Sequence, residues 1–93
     1  MRTIERSNAF KRDYKRAAKG QHRATLDHEL VSVLSALADD ALLEQRHRDH
    51  ELSGEWSGYR ECHVKPDLLL IYRKVDQAIL RLARLGSHSE LFG

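Results

Sequence analysis

The stretch WSGYRECHVKPDLLLIYRKVDQAILRLARLG, residues 56–86, decides the fold. It holds three runs of strand-forming residues, WSGYRECHV (56–64), LLLIYRK (68–74) and AILRLARLG (78–86). They are separated by Lys65-Pro66-Asp67 and by Val75-Asp76-Gln77. Apolar and aromatic runs broken by short turn-forming segments are strands joined by tight turns, so the three form an antiparallel meander. The run Leu68–Tyr72 has no polar alternation. A strand covered on both faces needs that pattern, which puts this run at the centre of the sheet. Alternation sorts the last run into Leu80, Leu82 and Arg84 on one face and Ile79, Arg81, Ala83 and Leu85 on the other, with Gly86 as its end.

Upstream the period changes from two to between three and four. Ser7 can cap a helix whose apolar members are Phe10, Tyr14, Ala17 and Ala18, and Gly20 supplies its stop. The other side of that helix carries Lys11, Arg12, Lys15, Arg16 and Lys19 on one contiguous stripe. A second helix begins near Thr25 and runs to about Asp40, with Leu26, Leu30, Val33, Leu34, Leu37, Ala38 and Ala41 at helical spacing. Before both, Arg2–Arg6 is too short for a helix, and Thr3 and Ile4 favour an edge strand. EQRHRDHELSGE (44–55) has no periodicity and reads as a loop, and SHSELFG (87–93) as a short tail. The predicted fold is therefore α+β: a short N-terminal strand, two helices, then a three-stranded antiparallel meander, with the helices packed on one face of the sheet. No linker or repeat divides the chain, so residues 1–93 form a single domain.

The composition agrees with this. A chain of 93 residues, 41% hydrophobic and 32% charged, has room for one core layer and no separate regulatory domain, so any active site lies on the core's own elements. The lone Cys62 excludes an intramolecular disulfide framework and a cysteine-based zinc site, and it fits a reducing compartment, with the cytoplasm as default. The longest apolar run, Leu68–Tyr72, is far short of the roughly 20 residues of a membrane span. The net charge of +2 conceals segregation. Residues 1–23 carry eight Lys/Arg against Glu5 and Asp13, residues 24–45 carry five acids and no Lys/Arg, and the remainder is nearly balanced. A basic N-terminal quarter faces a polyanion or is simply a solvated helix surface; charge alone does not choose.

The meander itself points to a site. The end of the first long run and the start of the second share one edge of the sheet, where His63 and Asp67 lie. The third run returns antiparallel, which delivers Arg84 and His88 to that edge. His50 sits in a loop long enough to join them, although the spacing does not force it. Each residue also has a plainer reading: a loop histidine is more often solvated than catalytic, Asp67 after proline is an ordinary turn residue, and Arg84 can pair with an acid. His22 and His28 read as surface residues. A metal site built from His47, Asp49, His50 and His63 is the rival, but these spacings match no familiar zinc pattern, so metal-independent acid–base chemistry is preferred. Histidines, an aspartate and an arginine, with no nucleophilic serine and no phosphate-cradling glycine loop, suit cleavage of RNA by its own 2′-hydroxyl.

RDHELSGEWSGYRECHVKPDLLLIY, with the tail LARLGSHSELFG, resembles the YafQ branch of the RelE/ParE superfamily of bacterial toxin-antitoxin toxins. The likeness covers His47 to Gly93 by motif and the N-terminal half by element order. It implies a ribosome-dependent endoribonuclease without a cofactor, one that cuts messenger RNA in the ribosomal A site and is neutralised by a cognate antitoxin, of ribbon-helix-helix type with an acidic segment. His50, His63, Asp67 and His88 fall on the family's catalytic positions, Arg84 fits the phosphate stabiliser, and Phe92 matches an aromatic that positions substrate. Lys11, Arg12, Lys15 and Arg16 become a contact to ribosomal RNA. Two positions depart from the family pattern: Glu51 stands where proline usually follows the loop histidine, and Leu68 where an aromatic often follows the aspartate. A non-catalytic binding module, either a ParE-like topoisomerase inhibitor or an antitoxin-binding relic, is the alternative.

Overall fold

A computed structural model describes residues 1–93. In chain order the elements are β1 (Thr3–Arg6), α1 (Asn8–Lys19), α2 (Leu26–Ala38), β2 (His50–Glu51), β3 (Arg60–Lys65), β4 (Leu68–Lys74), β5 (Ile79–Gly86) and α3 (His88–Phe92). The strands form one sheet in the order β1-β5-β4-β3-β2, parallel between β1 and β5 and antiparallel elsewhere. The apolar run of β4 takes the central place, as its lack of alternation requires. No helix is long and apolar enough to cross a membrane.

Helices α1 and α2 cover one face of the sheet. The Ser7 hydroxyl accepts the Phe10 N–H at 2.9 Å and so starts α1, and the Gly20 N–H closes it on the Ala17 carbonyl. Phe10, Leu26, Leu30, Val33 and Leu37 from the helices meet Val64, Leu68, Leu70, Tyr72, Leu80, Leu82 and Leu85 from the sheet in the main core. Each such side chain removed from water contributes about 1.5–3 kcal/mol. The opposite face carries a smaller cluster of Leu69, Ile71, Ala83 and Leu91, with Leu52, Trp56 and Tyr59 against it.

Four expectations need correction. A bulge shifts the β4–β5 register between Ile71 and Tyr72, so Leu85 joins Leu80 and Leu82 in the main core, and Arg84 pairs with Ile71 of the smaller cluster. Strict alternation fails there because an inserted residue reverses the facing of those after it. The strand read from Trp56 begins only at Arg60, since Gly54–Trp56 form a 3₁₀ turn. The loop of residues 44–55 contributes the two-residue strand β2. The tail is helical: Ser87 accepts the Glu90 N–H while Glu90 accepts the Ser87 N–H, a reciprocal cap that starts α3. Through Leu91, α3 packs on the face that α1 and α2 leave open.

The edge of β5 outruns its partner. β1 pairs only as far as Arg6 with Leu82, after which the chain turns into α1. Ser7 then donates its N–H to the Leu82 carbonyl and its hydroxyl to the Ala83 carbonyl, and Asp13 Oδ2 accepts the Leu85 N–H at 3.0 Å. A buried carboxylate on α1 thus finishes the strand's hydrogen bonding where a neighbouring strand is missing.

Candidate active site

Strand pairing aligns the candidate residues in two rows on the sheet face away from α1 and α2. One row crosses four strands as His50, Glu61, Ile71 and Arg84. The next runs His63, Leu69, Gly86, and Gly86 leads through Ser87 into His88. Leu69 and Ile71 belong to the smaller apolar cluster, which sets the floor of this face.

Glu61 is the residue that the sequence reading missed. It is buried at 6% exposure, and its Oε1 lies 3.7 Å from His63 Nε2 and 3.9 Å from His50 Nε2. The signal was available, because residues 61 and 63 face the same way on one strand. Both imidazoles turn their other nitrogen to a backbone carbonyl: His50 Nδ1 donates to Arg48 O at 2.7 Å, and His63 Nδ1 to Pro66 O at 3.2 Å. A carbonyl only accepts, so the proton of each neutral ring sits on Nδ1, and Nε2 offers its lone pair. When either Nε2 takes up a proton, Glu61 is there to pair with it.

The loop that carries His50 is held from below. Arg48 adopts a left-handed backbone, φ 47° and ψ 43°, which reverses the chain ahead of His50. The Tyr72 hydroxyl donates to Asp49 Oδ1 at 2.5 Å, and Arg60 donates to both Asp49 oxygens at 3.3 Å. Burial and the hydrogen bond to Asp49 push the Tyr72 phenol far above its ordinary range, so it stays protonated and keeps its proton for Asp49. His47 is buried and donates from Nδ1 to the His63 carbonyl.

Arg84 does not stand free. It lies side-on to Asp13, Nε to Oδ2 at 2.7 Å and Nη2 to Oδ1 at 3.3 Å. Arg16 adds a bond to Asp13 Oδ1 at 3.2 Å and another to Glu90 Oε2 at 3.1 Å. Burial pushes the Asp13 carboxyl up, but the Arg84 and Leu85 hydrogen bonds and the charges of Arg84 and Arg16 outweigh it and hold it below the usual carboxylate range. Lys11, Arg12 and Lys15 are exposed on α1 and form no ion pair, whereas Arg16 is committed to Asp13 and Glu90.

His88 opens α3, exposed, with its ring centroid 5.1 Å from that of Phe92, which is 38% exposed. Asp67 does not contact His63. Its Oδ2 accepts from Gln21 Nε2 at 2.9 Å, and its Oδ1 lies 3.3 Å from His22 Nε2. His22, read from sequence as a surface residue, is thus half-buried and faces Asp67. The structure brings His50 and His63 together at Glu61, and it gives Asp67, Arg84 and His88 separate partners around the same end of the sheet. No group of three or more His, Cys, Asp or Glu side chains is arranged to hold a metal ion.

This fold and site can be compared with known proteins. A sequence model of the family described as "Bacterial toxin of type II toxin-antitoxin system, YafQ" matches residues 2–93. The mRNA interferase toxin YafQ of Escherichia coli K12 is 40% identical over 93 residues, which cover 99% of this chain and 97% of that protein. The crystal structure of the E. coli DinJ-YafQ complex contains a chain that is 37% identical, with 100% of both chains covered and a TM-score of 0.82. A metal-bound toxin from Helicobacter pylori is 42% identical, with 99% of this chain and 100% of that one covered and a TM-score of 0.83.

Proposed function

The chain belongs to the YafQ family of bacterial toxins of type II toxin-antitoxin systems, and from that premise we propose that it is an endoribonuclease that cuts messenger RNA in the ribosomal A site by side-chain acid–base chemistry. The observation that carries the reading is the row of His50, Glu61 and Arg84, with His63 beside it, on one open sheet face. Two imidazoles with Nε2 free and an arginine two strands away supply what the reaction needs. A base takes the 2′-hydroxyl proton as that oxygen bonds to phosphorus. A cation balances the charge of the five-coordinate phosphorane. An acid protonates the departing 5′-oxygen, which leaves a 2′,3′-cyclic phosphate and a free 5′-hydroxyl.

In this scheme His50, His63, Asp67 and His88 share the proton transfers and Arg84 stabilises the phosphorane. Phe92 gives a face on which an unpaired base stacks. Lys11, Arg12 and Lys15 grip the ribosomal RNA backbone, with Arg16 at the base of the stripe. The E. coli relative is recorded in complex with DinJ; by analogy an antitoxin, of ribbon-helix-helix type with an acidic segment, covers the basic helix and the site. The action takes place in the cytoplasm, on translated messages.

The test is inducible expression of the parent beside a His50→Ala, His63→Ala, His88→Ala variant, with new RNA 5′ ends mapped after induction. The expected result is cuts confined to translated frames at a fixed codon position, present for the parent and lost in the variant. Growth arrest by both proteins without new ends would replace this reading with a binding toxin.

A further inference from the structure

The turn between α1 and α2 is bound to the turn between β3 and β4 by three side-chain contacts. Lys65 donates to the Thr25 hydroxyl, Gln21 donates to Asp67 Oδ2 at 2.9 Å, and His22 Nε2 meets Asp67 Oδ1 at 3.3 Å. Two of the three fall on one carboxylate, one on each oxygen, which fixes the plane of the group as well as its position. Gln21 Nε2 and His22 Nε2 are themselves 3.4 Å apart, so the three groups close into one cluster.

An exposed ion pair would carry little weight on its own. Here the His22 side chain is only 13% exposed, and its carbonyl accepts the N–H groups of Thr25 and Leu26 at 3.1 and 2.9 Å, which locks it to the start of α2. The clamp is rigid on the helix side, while the Asp67 side chain remains 57% exposed. Asp67 also lines one cleft of about 200 Å³ together with Gly86 and Ser87, the residues that lead into His88. The carboxylate therefore borders a cleft that reaches the β5–α3 junction, and its partners Gln21 and His22 line the same cleft.

We propose that Gln21 and His22 are positioning residues for Asp67, orienting its carboxylate toward RNA at the β5–α3 junction; this rests on the reading of Asp67 as a proton-transfer group in RNA cleavage. The same turn ends the basic helix α1. RNA gripped by Lys11, Arg12 and Lys15 and the carboxylate at Asp67 then belong to one rigid piece, so docking along α1 sets where the carboxylate stands.

The experiment is single-turnover cleavage of messenger RNA on programmed ribosomes, with toxin varied to saturation. The proteins compared are the parent, Asp67→Asn, Gln21→Glu, His22→Phe and His22→Gln, with melting temperatures measured in parallel. Gln21→Glu places an acceptor against the carboxylate in the same shape, and His22→Phe removes the ring nitrogen that faces it, whereas His22→Gln puts an N–H in the place of Nε2. The expected result is a tenfold or greater fall in the saturating rate for Gln21→Glu and His22→Phe, with half-saturating toxin and melting temperature unchanged. His22→Gln should recover to within threefold of the parent, and neither loss should add to that of Asp67→Asn. Full rates in Gln21→Glu and His22→Phe beside a slow Asp67→Asn would overturn the proposal and leave the cleavage reading standing, as would losses that add to Asp67→Asn. A parent that cuts nothing, or an Asp67→Asn that cuts at the full rate, removes the role the clamp serves and the proposal with it.

Discussion

The Nδ1 proton of His47 is donated to the backbone carbonyl of His63 across 2.6 Å. One histidine, which the acid–base scheme does not use, thereby ties the loop delivering His50 to the strand delivering another, at the point where the β3–β4 register shifts between His63 and Lys65. Replacing it with phenylalanine removes this hydrogen bond at a part-buried position and costs about 1 kcal/mol. We expect His47→Phe to show that loss in urea unfolding together with slower cleavage, and His47→Gln, which keeps a donor, to recover most of both.

Asp13 joins α1, β5 and α3 through Arg84, Leu85 and Arg16. Asp13→Asn should cost about 3 kcal/mol, the low end for a buried ion pair broken on one side, because Arg84 keeps some contact with water. The pH dependence has a definite sign. The folded carboxyl lies below its ordinary value, so its contribution is complete above the unfolded pKa and is lost as pH falls through the folded one. Urea unfolding between pH 5 and pH 2 should therefore show the parent losing more stability than Asp13→Asn, with the gap between them narrowing as the pH falls below about 4.

Glu61 serves both His50 and His63. Glu61→Leu keeps the position filled and apolar but removes the shared acceptor. Cleavage should fall about 10- to 100-fold, which at 1.36 kcal/mol per decade is the scale of one to two well-placed interactions. Circular dichroism should stay that of the parent. A variant with undiminished cleavage would show that neither imidazole needs this carboxylate.

Cys62 has no exposed surface, and burial, aided by Asp49 and Glu61, pushes its thiol far above the ordinary range. The thiolate is the reactive form, so a neutral-pH alkylating agent should leave the native chain unmodified and label it once per molecule in denaturant. Labelling of native protein at a rate that follows reagent concentration would mean that β3 opens locally.

Much of this was legible in the sequence, for physical reasons that differ by element. Residues 56–86 declared themselves because β4 is covered on both faces and its turns carry proline and aspartate. Helices α1 and α2 were readable because their apolar residues repeat at helical spacing. The bulge at Ile71 was not, since nothing in LLLIYRK or AILRLARLG marks where a residue is inserted. Helix α3 was hidden because five residues are too few to show a period, although Ser87 and Glu90 stand at the spacing of a capping box. His50 and His63 could be placed near one edge from topology alone. That they meet at Glu61, and that Asp67 instead answers to Gln21 and His22, depends on side-chain contacts between segments far apart in sequence.

The place of β5 between β1 and β4 orders events during synthesis. β1 is made before every other strand of the sheet, yet its only strand partner is the sheet's last strand in chain order. Until Ile79–Gly86 has been made, Thr3–Arg6 has no ladder to join, Asp13 has neither Leu85 nor Arg84, and α1 lacks the apolar residues of β5 beneath it. Contacts that span nearly the whole chain form late, because the long loop must close before they repay its entropy. A chain made only as far as β4 is thus a set of helices and hairpin without the row from His50 to Arg84, and the working face forms only once β5 has been made.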